Sequence, residues 1–212
     1  MQPNPVSQST RDSQRFCLLT SRLPVSVSVG GREYLIDTRA AVAIDCLIAL
    51  QDPAIPDEVK PAYVCSRVIA SVSKDFPTEL INQGFKECEG YLNGPQEQLP
   101  TASQSKAPKK QIMDYIQDAE AIVASFWHAY GLNLEQTTNL HWWVFMALLK
   151  YLPSDTTFSR IVSLRAKRLP AKASLEDKNE LRIAQDRVAI KDRRTPEQKQ
   201  RDAQESINAL DL

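Results

Sequence analysis

The chain lacks any excess of charge: 26 basic and 26 acidic residues give a formal net charge of zero. That balance argues against a surface built wholly for nucleic acid or anionic membrane. Long hydrophobic runs are absent too. The longest, Trp142 to Leu149, falls far short of the roughly 18 residues a membrane-spanning helix needs. The first residues, Met1 to Gln14, are polar and carry no hydrophobic signal core, so secretion is not expected. Histidine is scarce, with only His128 and His141. Cys17, Cys46, Cys65 and Cys88 form no CxxC pair, and they are expected as buried free thiols rather than disulfides or metal ligands. There is no GxSxG, GxGxxG, HExxH or phosphate-binding loop, and no internal repeat. No catalytic, metal-binding or cofactor-binding set is therefore expected, and the function has to be sought in binding.

What remains is ordinary globular material. The 212 residues are 42% hydrophobic and 25% charged, enough for one domain or two small ones with a real core. Residues 1–14, rich in Gln, Ser, Pro and Asn, are expected to be disordered. Residues 15–93 read as a hairpin plus helices. Val25, Val27 and Val29 alternate with serines, Gly30-Gly31 supplies a two-residue turn, and Arg32 to Asp37 returns. Asp37 or Thr38 should cap a helix with Ala41, Ile44 and Leu47 or Ile48 on its apolar side, ended by Asp52-Pro53. A second helix is expected over 61–72 with Val64, Val68 and Ile69 on one side. A third should open at Phe76-Pro77 and carry Leu80, Ile81, Gly84, Phe85, Cys88, Tyr91 and Leu92 until Gly94-Pro95.

Residues 94–111 contain three prolines and almost no large apolar side chain, so they read as a linker between two units. Residues 112–170 then read as three helices in series. Ile116, Ala119, Ile122 or Val123, Phe126 and Tyr130 make the first stripe, closed by Gly131. Thr138 or Asn139 should cap Leu140 to Leu152, which is apolar nearly all round. Pro153-Ser154-Asp155 starts a third helix with Phe158, Ile161, Val162 and Leu169. Residues 171–212 form a polar helical tail, with capping boxes at Ser174-Leu-Glu-Asp and Thr195-Pro-Glu-Gln. Helices so polar should be mobile or should dock on something else. The fold class is thus mainly α with a small N-terminal β-hairpin.

The chemistry-bearing side chains all admit plain roles. His128 and His141 lie on different expected helices without metal-pair spacing, which favours packing or surface roles. Asp114, Asp118 and Glu120 suit a helix start through its macrodipole. Trp142 and Trp143 are adjacent on a helix and diverge by about 100°. Both could be core, or one could be an exposed anchor for a partner. Arg165, Lys167, Arg168 and Lys172 read as a solvated face, since residues 154–212 hold 13 basic and 10 acidic residues.

The wording of residues 114–165 nevertheless resembles a known family. The Asp-rich helix start, SFWHAYG at 125–131, LHWWVFMALLKYLP at 140–153, and Phe158, Ile161 and Arg165 resemble small phage proteins known as gp-fifteen, encoded in the tail-morphogenesis block of long-tailed phages and prophages. The resemblance marks Trp127, Tyr130, His141, Trp142, Trp143 and Arg165 as motif or interaction residues. It implies a non-enzymatic tail assembly chaperone that associates with the tape-measure protein and other tail proteins in the bacterial cytoplasm, with self-association and retention in the finished virion left open. A structural component of the tail or its connector, or a small DNA-binding regulator, are the competing expectations.

Overall fold

The computed structural model describes residues 17–95, 111–169 and 172–208. Residues 1–14, expected as disordered, and most of the 94–111 linker lie outside them. The first element is the expected hairpin, β1 (Ser26–Val29) paired antiparallel with β2 (Arg32–Leu35). Gly30 and Gly31 both take positive φ, 60° and 79°, which is why glycine is needed at both central positions of this turn. The period of two puts Val29 and Tyr34 inward, and Tyr34 meets Phe76 edge-on at 5.1 Å.

Three helices follow: α1 (Ala40–Gln51), α2 (Lys60–Val68) and α3 (Ile81–Asn93), the last entered through a 3-10 turn over Thr78–Leu80. The expected cap of α1 is corrected. Arg39 holds the N-cap position with no side-chain cap, and Asp37 instead folds onto Arg39, accepting its backbone N–H at 3.1 Å and pairing its guanidinium at 2.6 Å. The buried stripe of α1 is also shifted, to Ala40, Val42, Ala43, Cys46 and Ala49. Ala41 is exposed, while Ile44, Leu47 and Ile48 are half-buried. The helix is apolar on most sides, so its small residues take the closest contacts and its larger ones flank them. In α2 and α3 the expected inward residues Val64, Val68, Cys88, Tyr91 and Leu92 are buried.

Three further helices form the patterned segment: α4 (Ala119–Tyr130), α5 (Trp142–Lys150) and α6 (Thr157–Ala166). Gly131 caps α4 in the left-handed region. Thr156 caps α6 by accepting from Ser159 N, and Leu169 falls beyond its end. Val29, Ile36, Cys46, Val64, Ile69, Leu92, Ile122, Phe126, Trp142, Phe145 and Phe158 belong to one buried cluster, so residues before and after the 94–111 segment share a core.

The tail forms α7 (Leu175–Arg187) and α8 (Pro196–Asn208). Ser174 accepts from Asp177 N, and Thr195 and Gln198 cap reciprocally, as the two box motifs required. No residue of α7 is buried. The tail docks instead through polar contacts. Gln185 Nε2 donates to Leu164 O and Lys167 O, both at 2.9 Å, and Gln198 reaches Pro53 O near the end of α1. Three of the four cysteines are buried as expected; Cys17 is exposed, a correction that follows from its position ahead of the hairpin, outside the core.

Candidate partner-binding surface

The residues singled out by the sequence divide into an internal framework and an outer face. The framework begins where α1 and α5 start side by side. Ala40 N donates to Leu140 O and Trp142 N to Thr38 O, each at 2.8 Å, around a bridge between Arg39 and His141. His141, rather than Thr138 or Asn139, is the N-cap of α5: its Nδ1 accepts from Trp143 N at 3.1 Å. With Nδ1 accepting, Nε2 carries the proton and donates to Pro24 O at 3.0 Å. The histidine therefore ties the approach to the hairpin to the start of α5, and both ring nitrogens are used.

The two adjacent tryptophans serve one purpose from diverging directions. Trp142 Nε1 donates to Leu92 O and Trp143 Nε1 to Tyr91 O, both at 2.9 Å. These carbonyls lie in the last turn of α3, where helical partners run out, and Tyr91 O also accepts from Gly94 N at 3.1 Å. Trp142 is 1% exposed, and Trp143 is half-buried and stacks on Tyr91 with centroids 6.1 Å apart. Trp142 stacks on Phe145, and Phe145 on Phe126. Tyr130 donates its hydroxyl to Leu148 O at 2.9 Å. Neither Trp142 nor Trp143 is a free anchor; both belong to the interior that joins α3 to α5.

Arg165 is likewise internal rather than part of a solvated basic face. Its guanidinium meets Asp118 in a two-pronged pair, Nη1 to Oδ2 at 2.6 Å and Nη2 to Oδ1 at 2.8 Å. It also donates to Ile112 O at 3.1 Å and to Val188 O. Asp118 Oδ2 accepts from Asp114 N, and Asp114 Oδ1 accepts from Ile116 N and Gln117 N. The macrodipole reading of Asp114 and Asp118 is thus corrected: both are buried acceptors of a network, while Glu120 stays exposed. Arg193 pairs with Asp114 at 3.0 Å. Gln117 holds the same tail segment through its amide, donating to Ala189 O at 2.8 Å and accepting from Lys191 N at 3.0 Å. This network fastens the tail to the start of α4. Among the described residues, no buried side-chain nitrogen or oxygen lacks a partner.

The outer face carries the apolar surface that the framework leaves over. On and just before α4, Ile116, Val123 and Trp127 are 51%, 47% and 60% exposed. Val123 also lines a cavity of about 500 Å³ between α1, α4 and the loop before α5. Its apolar walls are Ala41 and Ile44 from α1, Ala119 and Ile122 from α4, and Leu134 and Leu140 from the loop, with Arg39 and Glu135 also lining it. Trp127 was marked from the sequence, and it is the one tryptophan of the three that faces out. The groove residues were not marked. The one signal for them was the choice between Ile122 and Val123, which marks a helix apolar on two faces. His128 is exposed, and the described residues contain no group of His, Cys, Asp and Glu able to hold a metal ion.

These features define a helical protein whose motif residues build its interior and whose outward chemistry is an apolar groove beside an exposed tryptophan. The chain belongs to the Bacteriophage Gp15 protein family, whose pattern matches residues 19–190. Membership supports a phage structural or morphogenesis role. No curated protein and no solved structure matches it. No helix among the described residues is long and apolar enough to cross a membrane.

Proposed function

We propose that the protein is a non-enzymatic tail assembly chaperone that holds an apolar helical segment of the tape-measure protein until the tail tube forms around it. The observation that carries this reading is the groove of about 500 Å³ lined by Ala41, Ile44, Ile122, Val123, Leu134 and Leu140. That volume lies in the range of small-ligand pockets, roughly 300–1,000 Å³, so it takes the apolar side chains of one helix face rather than a whole helix. A partner helix would lie along α4 with its apolar row in the groove and its edge against Trp127. Covering such a row removes the surface through which long apolar helices aggregate. The arrangement uses no cofactor and no nucleic acid, and it acts in the bacterial cytoplasm.

Co-expression of the full chain with the cognate tape-measure protein tests this. The tape-measure protein should become soluble and copurify. Ile44→Glu, which places a charge in the groove, should abolish copurification while the circular dichroism of the chain itself is retained. If the tape-measure protein stays insoluble, and the chain is found at fixed copy number in finished virions, the role is that of a structural component.

A further inference from the structure

Between α7 and α8 the chain runs without regular helix or strand, and residues 188–193 of that stretch cross the start of α4 as a strap. The body grips the strap through its main chain. Arg165 Nε donates to Val188 O, and Gln117 brackets the next residues, donating to Ala189 O at 2.8 Å and accepting from Lys191 N at 3.0 Å. Arg193 adds an ion pair to Asp114 at 3.0 Å. None of residues 172–201 is buried. A cavity of about 570 Å³ lies between the strap, the end of α1 and the approach to α4. An element held by a few polar contacts over unfilled space opens before the core does.

What the strap grips is also a wall of the apolar groove. Residues 112–118 lead into α4 between the two cavities. Asp114 lines the one under the strap, and Tyr115 lines the groove together with Ala119, Ile122 and Val123. Met113 and Tyr115 are only partly buried against the core. Asp118 holds the N-cap position of α4 without a side-chain cap, so that end of the helix depends on its neighbours. Asp114 uses one oxygen to hold the turn, at Ile116 N and Gln117 N, and the other to hold Arg193. The turn that presents Tyr115 and the strap therefore share one carboxylate.

We infer that the strap regulates the groove: seated, it fixes the turn that carries Tyr115, and lifted, it loosens that wall and weakens the grip on a helix. A wall fixed in advance binds more tightly because less has to be ordered on binding. Drawing the strap away is then a means of releasing the helix without a competitor for the groove. The consequence for binding rests on the chaperone reading, whereas the coupling of strap to wall belongs to the protein alone.

Lys191→Pro combined with Arg193→Ala tests both in the full-length protein. Proline removes the Lys191 N–H and alanine the guanidinium, while residues 112–118 keep every side chain. Hydrogen exchange of the protein alone should quicken at 188–194 by about tenfold or more, as two lost contacts of this kind require. The amides of Ile116, Gln117 and the first turn of α4 should quicken with them, and those of α2 and α3 should not change. Quickening at 188–194 with 113–122 unchanged, no quickening at either, or quickening throughout the chain would each overturn the inference. In co-expression the variant should retain several-fold less tape-measure protein than the wild type, and equal retention would overturn the regulatory role. A wild type that captures none would count against the chaperone reading instead, and the exchange result would still decide whether strap and wall move together.

Discussion

Arg165→Ala is the most revealing single change to the framework. Arg165 and Asp118 have side chains only 4% and 2% exposed, and their oxygens and nitrogens meet at 2.6 and 2.8 Å. Burying both charges is costly, and their mutual attraction together with the hydrogen bonds from Asp114 N and to Ile112 O offsets that cost. Removing the arginine leaves Asp118 buried as an uncompensated carboxylate and leaves Ile112 O and Val188 O without this donor. The expected loss is therefore that of a broken buried pair, about 3–5 kcal/mol, rather than the ~1 kcal/mol or less of a surface pair. Urea unfolding of the full chain measures it. Replacing both partners with apolar residues, Arg165→Met with Asp118→Leu, should recover most of the loss, because no stranded charge remains. Hydrogen exchange adds a spatial signature, since amides of residues 185–194 should lose protection in Arg165→Ala before those of α1 to α3. A loss below about 1 kcal/mol, or a double variant as unstable as the single one, would refute the view that this pair is desolvated and interlocked with the tail.

Phe126→Ala or Phe145→Ala, each truncating a buried ring of the aromatic stack, should cost about 3–5 kcal/mol in the same urea assay. A thiol-reactive disulfide reagent should modify Cys17 quickly in the native protein and the other three cysteines only on unfolding. Cys17 is exposed and its thiol is held below the usual range by the Thr20 side chain, whereas burial pushes Cys46 up to about 12. The Tyr115 phenol is raised by burial from 10 to about 12. Its contribution to stability is fully present below pH 10 and lost as pH rises through 12, so Tyr115→Phe should flatten that part of the alkaline stability curve followed by fluorescence.

Much of the fold was legible in the sequence because local chemistry and tertiary packing agree there. The paired glycines force the hairpin turn, Gly131 ends α4, and the Ser174 and Thr195 boxes start α7 and α8 where their hydrogen bonds now lie. Legibility failed where tertiary contacts chose among equivalent local options. In α1 nearly every residue is apolar, so periodicity could not say that Val42 and Cys46 rather than Ala41 and Leu47 face the interior. At α5 either of two adjacent polar residues, Thr138 or Asn139, could have capped the helix. His141 took the place because the bridge to Arg39 sets the backbone there and Pro24 O holds its other nitrogen. Asp118 and Arg165 lie 47 residues apart, and no spacing rule joins them; only the fold shows that they neutralise each other in the interior. The groove escaped notice for a related reason. Its walls come from α1, α4 and a loop, each contributing small or aliphatic residues that resemble core until the packing leaves them open.

The most direct test of the chaperone account is a hydrogen-exchange footprint of the full-length protein with and without the cognate tape-measure protein. The account predicts new protection along α4 around 119–127, in the 132–140 loop and in the first turns of α1 around 40–44, with α2 and the hairpin unchanged. Absence of any change, or protection confined to α7 and α8 with the groove untouched, would contradict it.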